Sequence, residues 1–150
     1  MKRTIASYQF SKTFNAPLRF VYDWCTDYSE VDPKITGAKL RRIIIQKTKS
    51  RAIYVNQPKN AETGTTINIV TLHPPDRWHM KLIGEERDGT GKYHLTRLGP
   101  RSTKLHVSLK MKWKTPRAPT KTEFHERLNS MWNKYAAALE RDYKRNNGHI

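Results

Sequence analysis

Residues 120–146 have the sequence TKTEFHERLNSMWNKYAAALERDYKRN, which predicts a long amphipathic helix. Its apolar residues recur at steps of three and four, the spacing of one face of an α-helix. They are Phe124, Leu128, Met131, Trp132, Tyr135, Ala136, Leu139 and Tyr143. The opposite face is polar and mostly basic. At 1.5 Å per residue, a helix of about 27 residues spans about 40 Å, which is enough to cross a small sheet.

The segment before this helix alternates like a β-strand with one buried face. The apolar set is Leu105, Val107, Leu109, Met111 and Trp113, and the polar set is Lys104, His106, Ser108, Lys110, Lys112 and Lys114. Pro116 and Pro119 end the strand before the helix begins. We therefore predict that Trp113 and, by the same parity on an earlier strand, Trp78 face the interior. Lys110 and Lys112 should face water.

The rest of the chain predicts six further strands and two short helices. Alternation indicates strands at residues 4–14, 38–46, 51–56, 65–73, 77–85 and 92–98. The first helix should begin with Asn15 as its cap and Pro17 in its first turn. A second capping signal at residues 29–32 starts a short helix that ends near Gly37. The sequence Arg-Asp-Gly-Thr-Gly at residues 87–91 predicts the hairpin between the fifth and sixth strands.

This order predicts one α+β domain over residues 1–150, without a linker or an internal repeat. Three features of the sequence resemble a known family. They are Phe14-Asn15-Ala16-Pro17, the run Ala-Pro-x-x-x-Val-Tyr-x-x-x-x-Asp at 16–27, and Trp113 before the final helix. The chain resembles the START-like (SRPBCC) helix-grip group, which includes Bet v 1-type pollen allergens, lipid-transfer domains and polyketide cyclases. The resemblance implies a seven-stranded curved antiparallel sheet wrapped around a long C-terminal helix. A short basic turn at 47–50 departs from the Gly-rich loop of the allergens.

Composition limits the class of protein and of partner. With 36% hydrophobic residues the chain is globular in composition, and no stretch approaches the roughly 20 apolar residues of a membrane span. A basic start without an apolar block does not read as a signal peptide, and Cys25 is the single cysteine, so a cytoplasmic protein is expected. The 29 Lys and Arg against 13 acids give a net charge of +16. Such a balance suits an anionic partner, or else a solvated basic surface.

A ligand cavity is predicted between the last helix and the concave face of the sheet. The inward faces of the last strand and helix enclose an apolar space, and the helix-grip resemblance implies a cavity there. The alternative is that the same side chains fill this space as core. The expected ligand-binding residues are Tyr54, Trp78, Tyr93, Arg97, Leu109, Met111, Trp113, Phe124, Leu128, Met131 and Tyr135. Among them Arg97 either grips a ligand carboxylate or phosphate or is an ordinary rim arginine. A ligand would enter near residues 57–64 or beside the first helix.

The sequence displays no catalytic constellation, and we expect neither a metal nor a cofactor. The six histidines lack metal-ligand spacing, and Cys25 lies on the apolar stripe of the first helix, where a buried thiol is usual. The leading hypothesis is binding or transport of a hydrophobic small molecule, such as a lipid, quinone or polyketide-like compound. One alternative is a basic module that contacts RNA, ribosome or an anionic membrane through Lys104, Lys110, Lys112 and Lys114. An aromatase or cyclase-type enzyme is the third.

Overall fold

The computed structural model describes residues 4–59, 64–116 and 118–147. Its strands are β1 (Thr4–Phe14), β2 (Leu40–Lys47), β3 (Arg51–Pro58), β4 (Thr66–His73), β5 (Arg77–Gly84), β6 (Arg87–Gly99) and β7 (Ser102–Trp113). Its helices are α1 (Leu18–Thr26), α2 (Pro33–Thr36) and α3 (Lys121–Asn147). The predicted strands and helices therefore form in the predicted order. Residues 60–63 of the predicted loop at 57–64 lie outside the described residues.

The seven strands form one antiparallel sheet in the order β1-β7-β6-β5-β4-β3-β2. Strand β1 pairs with β7 along its whole length, from Thr4 opposite Trp113 to Phe14 opposite Thr103. The other neighbours in the sheet are consecutive hairpins. The prediction of a curved antiparallel sheet around a C-terminal helix is confirmed.

Helix α3 packs on the concave face through one buried stripe. Leu128, Trp132, Ala136 and Leu139 are 7%, 8%, 5% and 0% exposed, as the helical spacing predicts. The start of the helix is fixed by a reciprocal pair of hydrogen bonds. The Glu123 amide donates to Thr120 Oγ1 at 3.1 Å, and the Thr120 amide donates to Glu123 Oε1 at 3.2 Å. This capping box satisfies two amides that a helix start would otherwise leave unpaired.

The parity of the strands is as predicted. Trp78 is 1% exposed and Trp113 is 7% exposed, and both lie on the concave side with the core. Lys110 on the opposite face is exposed, whereas Lys112 is only half-exposed. Alternation in β7 thus fixes which face is buried but overstates the exposure of Lys112.

The hairpin predicted at residues 87–91 is wrong, because this segment belongs to β6 and the turn lies at Glu85 and Glu86. The glycines serve close packing instead of a turn. A Cβ on Gly89 would collide with the thioether of Met111, and one on Gly91 would lie 2.9 Å from Leu109 Cδ2. The concave face admits only glycine at these two positions without rearrangement.

The capping predictions for the two short helices also need correction. Pro17, not Asn15, occupies the N-cap position of α1, and the Asn15 side chain donates to Glu140 Oε1 of α3 at 3.1 Å. Asp32 precedes α2 but makes no side-chain cap bond to it. Gly37 does end α2, with the left-handed φ of 71° that glycine tolerates.

Candidate functional site

A cavity of ≈ 460 Å³ lies between α3, the α1–α2 segment and the concave face of the sheet. Side chains from α1, α2, β2, β3, β5, β6 and α3 contribute to its wall. Seven of them are aromatic: Trp24, Tyr28, Tyr54, Trp78, Tyr93, Trp132 and Tyr135. Val31, which lines the cavity after α1, is 58% exposed, so the cavity reaches the surface there.

Ring contacts hold these aromatic walls in place. Trp78 and Tyr93 stack with 5.1 Å between centroids and 6° between planes. Tyr28 and Tyr54 stack at 5.2 Å. Trp24 meets Tyr135 edge to face at 6.1 Å. Such pairs add stability beyond their buried area and restrict ring rotation, so the wall is preorganised.

Arg42 is the one cationic side chain in the described wall of the cavity, and it is 10% exposed. Its Nη1 donates to Asp32 Oδ2 at 2.9 Å, and its Nε donates to Asn56 Oδ1 at 3.0 Å. The guanidinium also lies 4.1 Å from the ring centroid of Tyr54. A buried charge requires such pairing, and the contacts leave the guanidinium in a fixed position.

The hydroxyls of the cavity are neutral. Burial raises the pKa of Tyr54, an effect that the nearby Arg42 only partly offsets. Burial likewise raises the pKa of Tyr28, Tyr93 and Tyr135. These groups therefore offer hydrogen bonds and no negative charge at neutral pH. Burial also raises the pKa of the Cys25 thiol, which makes it a poor nucleophile.

The three carboxylates that line the cavity all have protein partners. Asp32 accepts from the amide and hydroxyl of Ser29 at 2.9 Å each, in addition to Arg42. Asp142 accepts from Trp24 Nε1 at 2.9 Å. Asp27 is paired with Lys47. Each of these carboxylates is thus engaged in a structural contact, an arrangement that suits binding better than proton transfer.

Five of the sequence-predicted site residues line the cavity: Tyr54, Trp78, Tyr93, Met131 and Tyr135. The others lie elsewhere. Met111, Trp113 and Phe124 pack with Tyr8 in a separate cluster, where the Tyr8 and Phe124 rings are 4.1 Å apart.

Leu109 packs against both the main core and that second cluster, and Leu128 is buried on α3 without lining the cavity. Arg97 is exposed near the end of β6 and does not line the cavity. Side chains therefore fill the end of the predicted pocket near the start of α3.

Arg42, Asp32, Trp24 and Tyr28 were missed by the sequence analysis. The available signal was parity: Arg42 lies two positions before Ile44, which packs against the core, so both face inward on β2. A charged residue at an inward position of a strand is unusual, and it marks a site where a partner must be buried with it.

The predicted basic face is only partly available to a partner. Lys114 Nζ donates to the Gly84 carbonyl at 2.7 Å and lies 3.0 Å from Asp88 Oδ1, so it braces the β5–β6 turn. Its hydrogen bond lowers the pKa of Asp88. Lys104 and Lys112 are half-buried, while Lys110 is exposed.

Two absences hold for the described part of the chain. The rings of His73 and His79 lie 4.9 Å apart, but no group of three or more His, Cys, Asp or Glu side chains there could hold a metal ion. Within the same residues, no helix has the length and apolarity that a membrane span needs.

Solved structures with similar backbones include the Zhui aromatase/cyclase from Streptomyces sp. R1128, with a TM-score of 0.69 and 13% identity over 95% of both chains. A START superfamily protein from Mycobacterium smegmatis matches with a TM-score of 0.68 and 17% identity, over 90% of this chain and 97% of that one. The chain has the helix-grip fold of the START-like superfamily.

A norcoclaurine synthase point mutant from Thalictrum flavum shares this helix-grip fold, with a TM-score of 0.71 and 12% identity over 95% and 98% of the two chains. Identities this low establish the fold and not the activity. No sequence-family model matches the chain, and no curated protein matches it significantly in sequence.

Proposed function

We propose that the protein binds a hydrophobic small molecule in the cavity between α3 and the concave face of the sheet. The observation that carries this proposal is a ≈ 460 Å³ space walled by seven aromatic side chains around one paired arginine. Ligand sites are typically concave and mostly apolar, with volumes of about 300–1,000 Å³ and a few placed polar groups. The exposed Val31 supports an opening beside α1 and α2.

The walls favour a flat ligand that carries a polar group at one end. Stacked rings at Trp78–Tyr93 and Tyr28–Tyr54 present fixed apolar surfaces, which suit a polycyclic or quinone-like molecule better than a flexible acyl chain. A guanidinium carries five N–H donors, and the protein contacts of Arg42 use Nε and Nη1. A carbonyl, phenolate or carboxylate of the ligand would accept hydrogen bonds from the remaining N–H groups of Arg42.

The side chains of the cavity favour binding of a ligand without catalysis. The cavity carboxylates are held by Arg42, Trp24 and Lys47, and the Cys25 thiol is neutral. An aromatase or cyclase-type reaction stays the alternative, because similar folds include an aromatase/cyclase and a norcoclaurine synthase.

The proposal is tested by native mass spectrometry of the purified protein, followed by titration with the planar sulfonate 8-anilinonaphthalene-1-sulfonate. We expect a small-molecule adduct or stoichiometric dye binding, and at least tenfold weaker dye binding in Arg42→Gln. Arg41→Gln is the matched control, because Arg41 neighbours Arg42 on β2 but is exposed on the other face. The proposal would be contradicted if the protein showed neither an adduct nor dye binding, or if dye affinity fell equally in Arg42→Gln and Arg41→Gln.

A further inference from the structure

The convex face of the sheet carries an apolar surface that the cavity does not explain. In β2 to β5 the outward positions align across the strands in two rows. The longer row is Ile43–Val55–Ile67–Ile83 and the shorter is Ile53–Ile69. These six β-branched residues form one contiguous surface, here named the isoleucine patch. Ile67 and Ile83 are 42% and 41% exposed.

The isoleucine patch is not part of the protein's core. Its strands bury their other face, where Tyr54, Val70 and Trp78 are at most 3% exposed. The helices pack on that concave side. Single exposed apolar residues are common on soluble proteins, but a contiguous patch of this kind usually marks an interaction surface.

Exposed cations lie on the same face, three of them beside the patch and Lys110 two strands beyond it, while Asp88 next to Ile83 is paired with Lys114. Lys81 is the cross-strand neighbour of Ile69, and the same row continues through Thr90 to Lys110. Arg51 and Arg41 lie two residues before Ile53 and Ile43 on their strands. Among the described residues, no carboxylate lies within 4.0 Å of the charged atoms of these four cations. Their charge is therefore available to an external anion.

We propose that the isoleucine patch and its cations dock the protein on an acidic phospholipid surface. The apolar rows would contact the acyl boundary while the cations meet lipid phosphates, the pairing that interfacial binding requires. A second copy of the chain would bring like charges together on a protein of net charge +16. RNA would leave the isoleucines in water, and the described part of this face presents no Phe, Tyr or Trp to stack on its bases.

Vesicle flotation at 100 mM salt tests this proposal, with vesicles of neutral phosphatidylcholine or of phosphatidylcholine with 30% phosphatidylglycerol. Wild-type protein should bind only the acidic vesicles. Ile67→Thr/Ile83→Thr should bind at least fivefold more weakly. Its matched control is Ile5→Thr/Leu98→Thr, which changes two residues that are 59% and 55% exposed but lie outside the patch.

A second pair of variants separates specific docking from overall charge. A lysine near an acidic membrane surface contributes about fivefold in affinity, so Lys81→Gln/Lys110→Gln should weaken binding by about 25-fold. Lys121→Gln/Lys144→Gln removes the same net charge from exposed positions of α3 and should change it far less. Circular dichroism confirms the folding of each variant.

Three results would overturn the proposal. The first is an absence of binding to acidic vesicles. The second is an equal decrease in vesicle binding in the patch variants and in their control variants. The third is a wild-type dimer, by light scattering, that Ile67→Thr/Ile83→Thr converts to monomer, because the patch would then be a contact between copies. Each result leaves the cavity proposal untouched, since dye binding is measured separately.

Discussion

The guanidinium of Arg42 lies 2.9 Å from the carboxylate of Asp32, and this ion pair joins the sheet to the segment between the two short helices. Asp32 is held in turn by the amide and hydroxyl of Ser29. The polar end of the cavity is therefore built from β2 and from the start of α2. Its geometry depends on both segments being folded.

Loss of this ion pair should destabilise the protein. In Asp32→Ala the partly buried Arg42 loses its anion, and we expect a decrease of about 2–4 kcal/mol in the free energy of unfolding. Urea denaturation measures the change. Asp23→Ala is the control, because Asp23 faces Arg19 at 4.0 Å on an exposed surface, where such pairs contribute about 0–1 kcal/mol. Similar small losses in both variants would contradict a structural role for the Arg42–Asp32 pair.

Gly91 should tolerate no added methyl group without cost. A Cβ there would lie 2.9 Å from both Leu109 Cδ2 and Tyr93 Cε2. Overpacking of this kind costs about 1–3 kcal/mol, so Gly91→Ala should lower the denaturation midpoint. In the control Gly99→Ala, the nearest neighbour is 4.0 Å away, and the midpoint should stay nearly unchanged. A midpoint for Gly91→Ala equal to that of wild type would show that β6 and β7 are packed less closely.

The capping box of α3 gives a prediction at the helix start. Thr120→Ala removes the acceptor for the Glu123 amide and should cost about 1 kcal/mol in unfolding free energy. The control is Thr122→Ala, because Thr122 is exposed in the first turn of the same helix. This change should be neutral or slightly stabilising, since alanine has the higher helix propensity. Thermal denaturation of the two variants compares them directly. The reverse order of stability would place the helix start elsewhere.

His79 should make the protein less stable in mild acid. Burial, and then the neighbouring His73, lower the pKa of His79 below its ordinary value of 6.5. As pH falls through 6.5 the unfolded chain takes up a proton before the folded chain does, so folding stability decreases until the folded-state pKa is passed. The urea midpoint of wild type should drop more between pH 7.5 and 5.5 than that of His79→Gln. An identical pH dependence in the two proteins would count against this assignment.

Particular residues show which parts of the fold can be predicted from the sequence. Periodicity places Leu139 in the core and Trp113 on the buried face of β7, because burial of a fixed face is a local property of helix and strand spacing. The Asp-Gly turn motif misplaces Gly89, since a glycine that permits close packing has the same local signature as a glycine in a turn.

The site is harder to predict than the fold. The inward face of α3 is apparent from its spacing, but the pattern does not tell where along that face the space is filled. Phe124 packs on Tyr8 and Trp113, which closes one end, while Met131 and Tyr135 border open space. The Tyr8–Phe124 contact joins residues more than 100 positions apart. Tertiary packing of that kind has no periodic signal in the sequence.

We infer that a ligand binds in the open space beside Met131. Isothermal titration with 8-anilinonaphthalene-1-sulfonate on wild type and Met131→Trp tests it most directly, with Ile5→Trp as the exposed control. We expect one dye per wild-type and control molecule, and at least tenfold weaker binding when the indole of Met131→Trp fills the cavity. Equal affinity in all three folded proteins, or no binding to wild type, would contradict it.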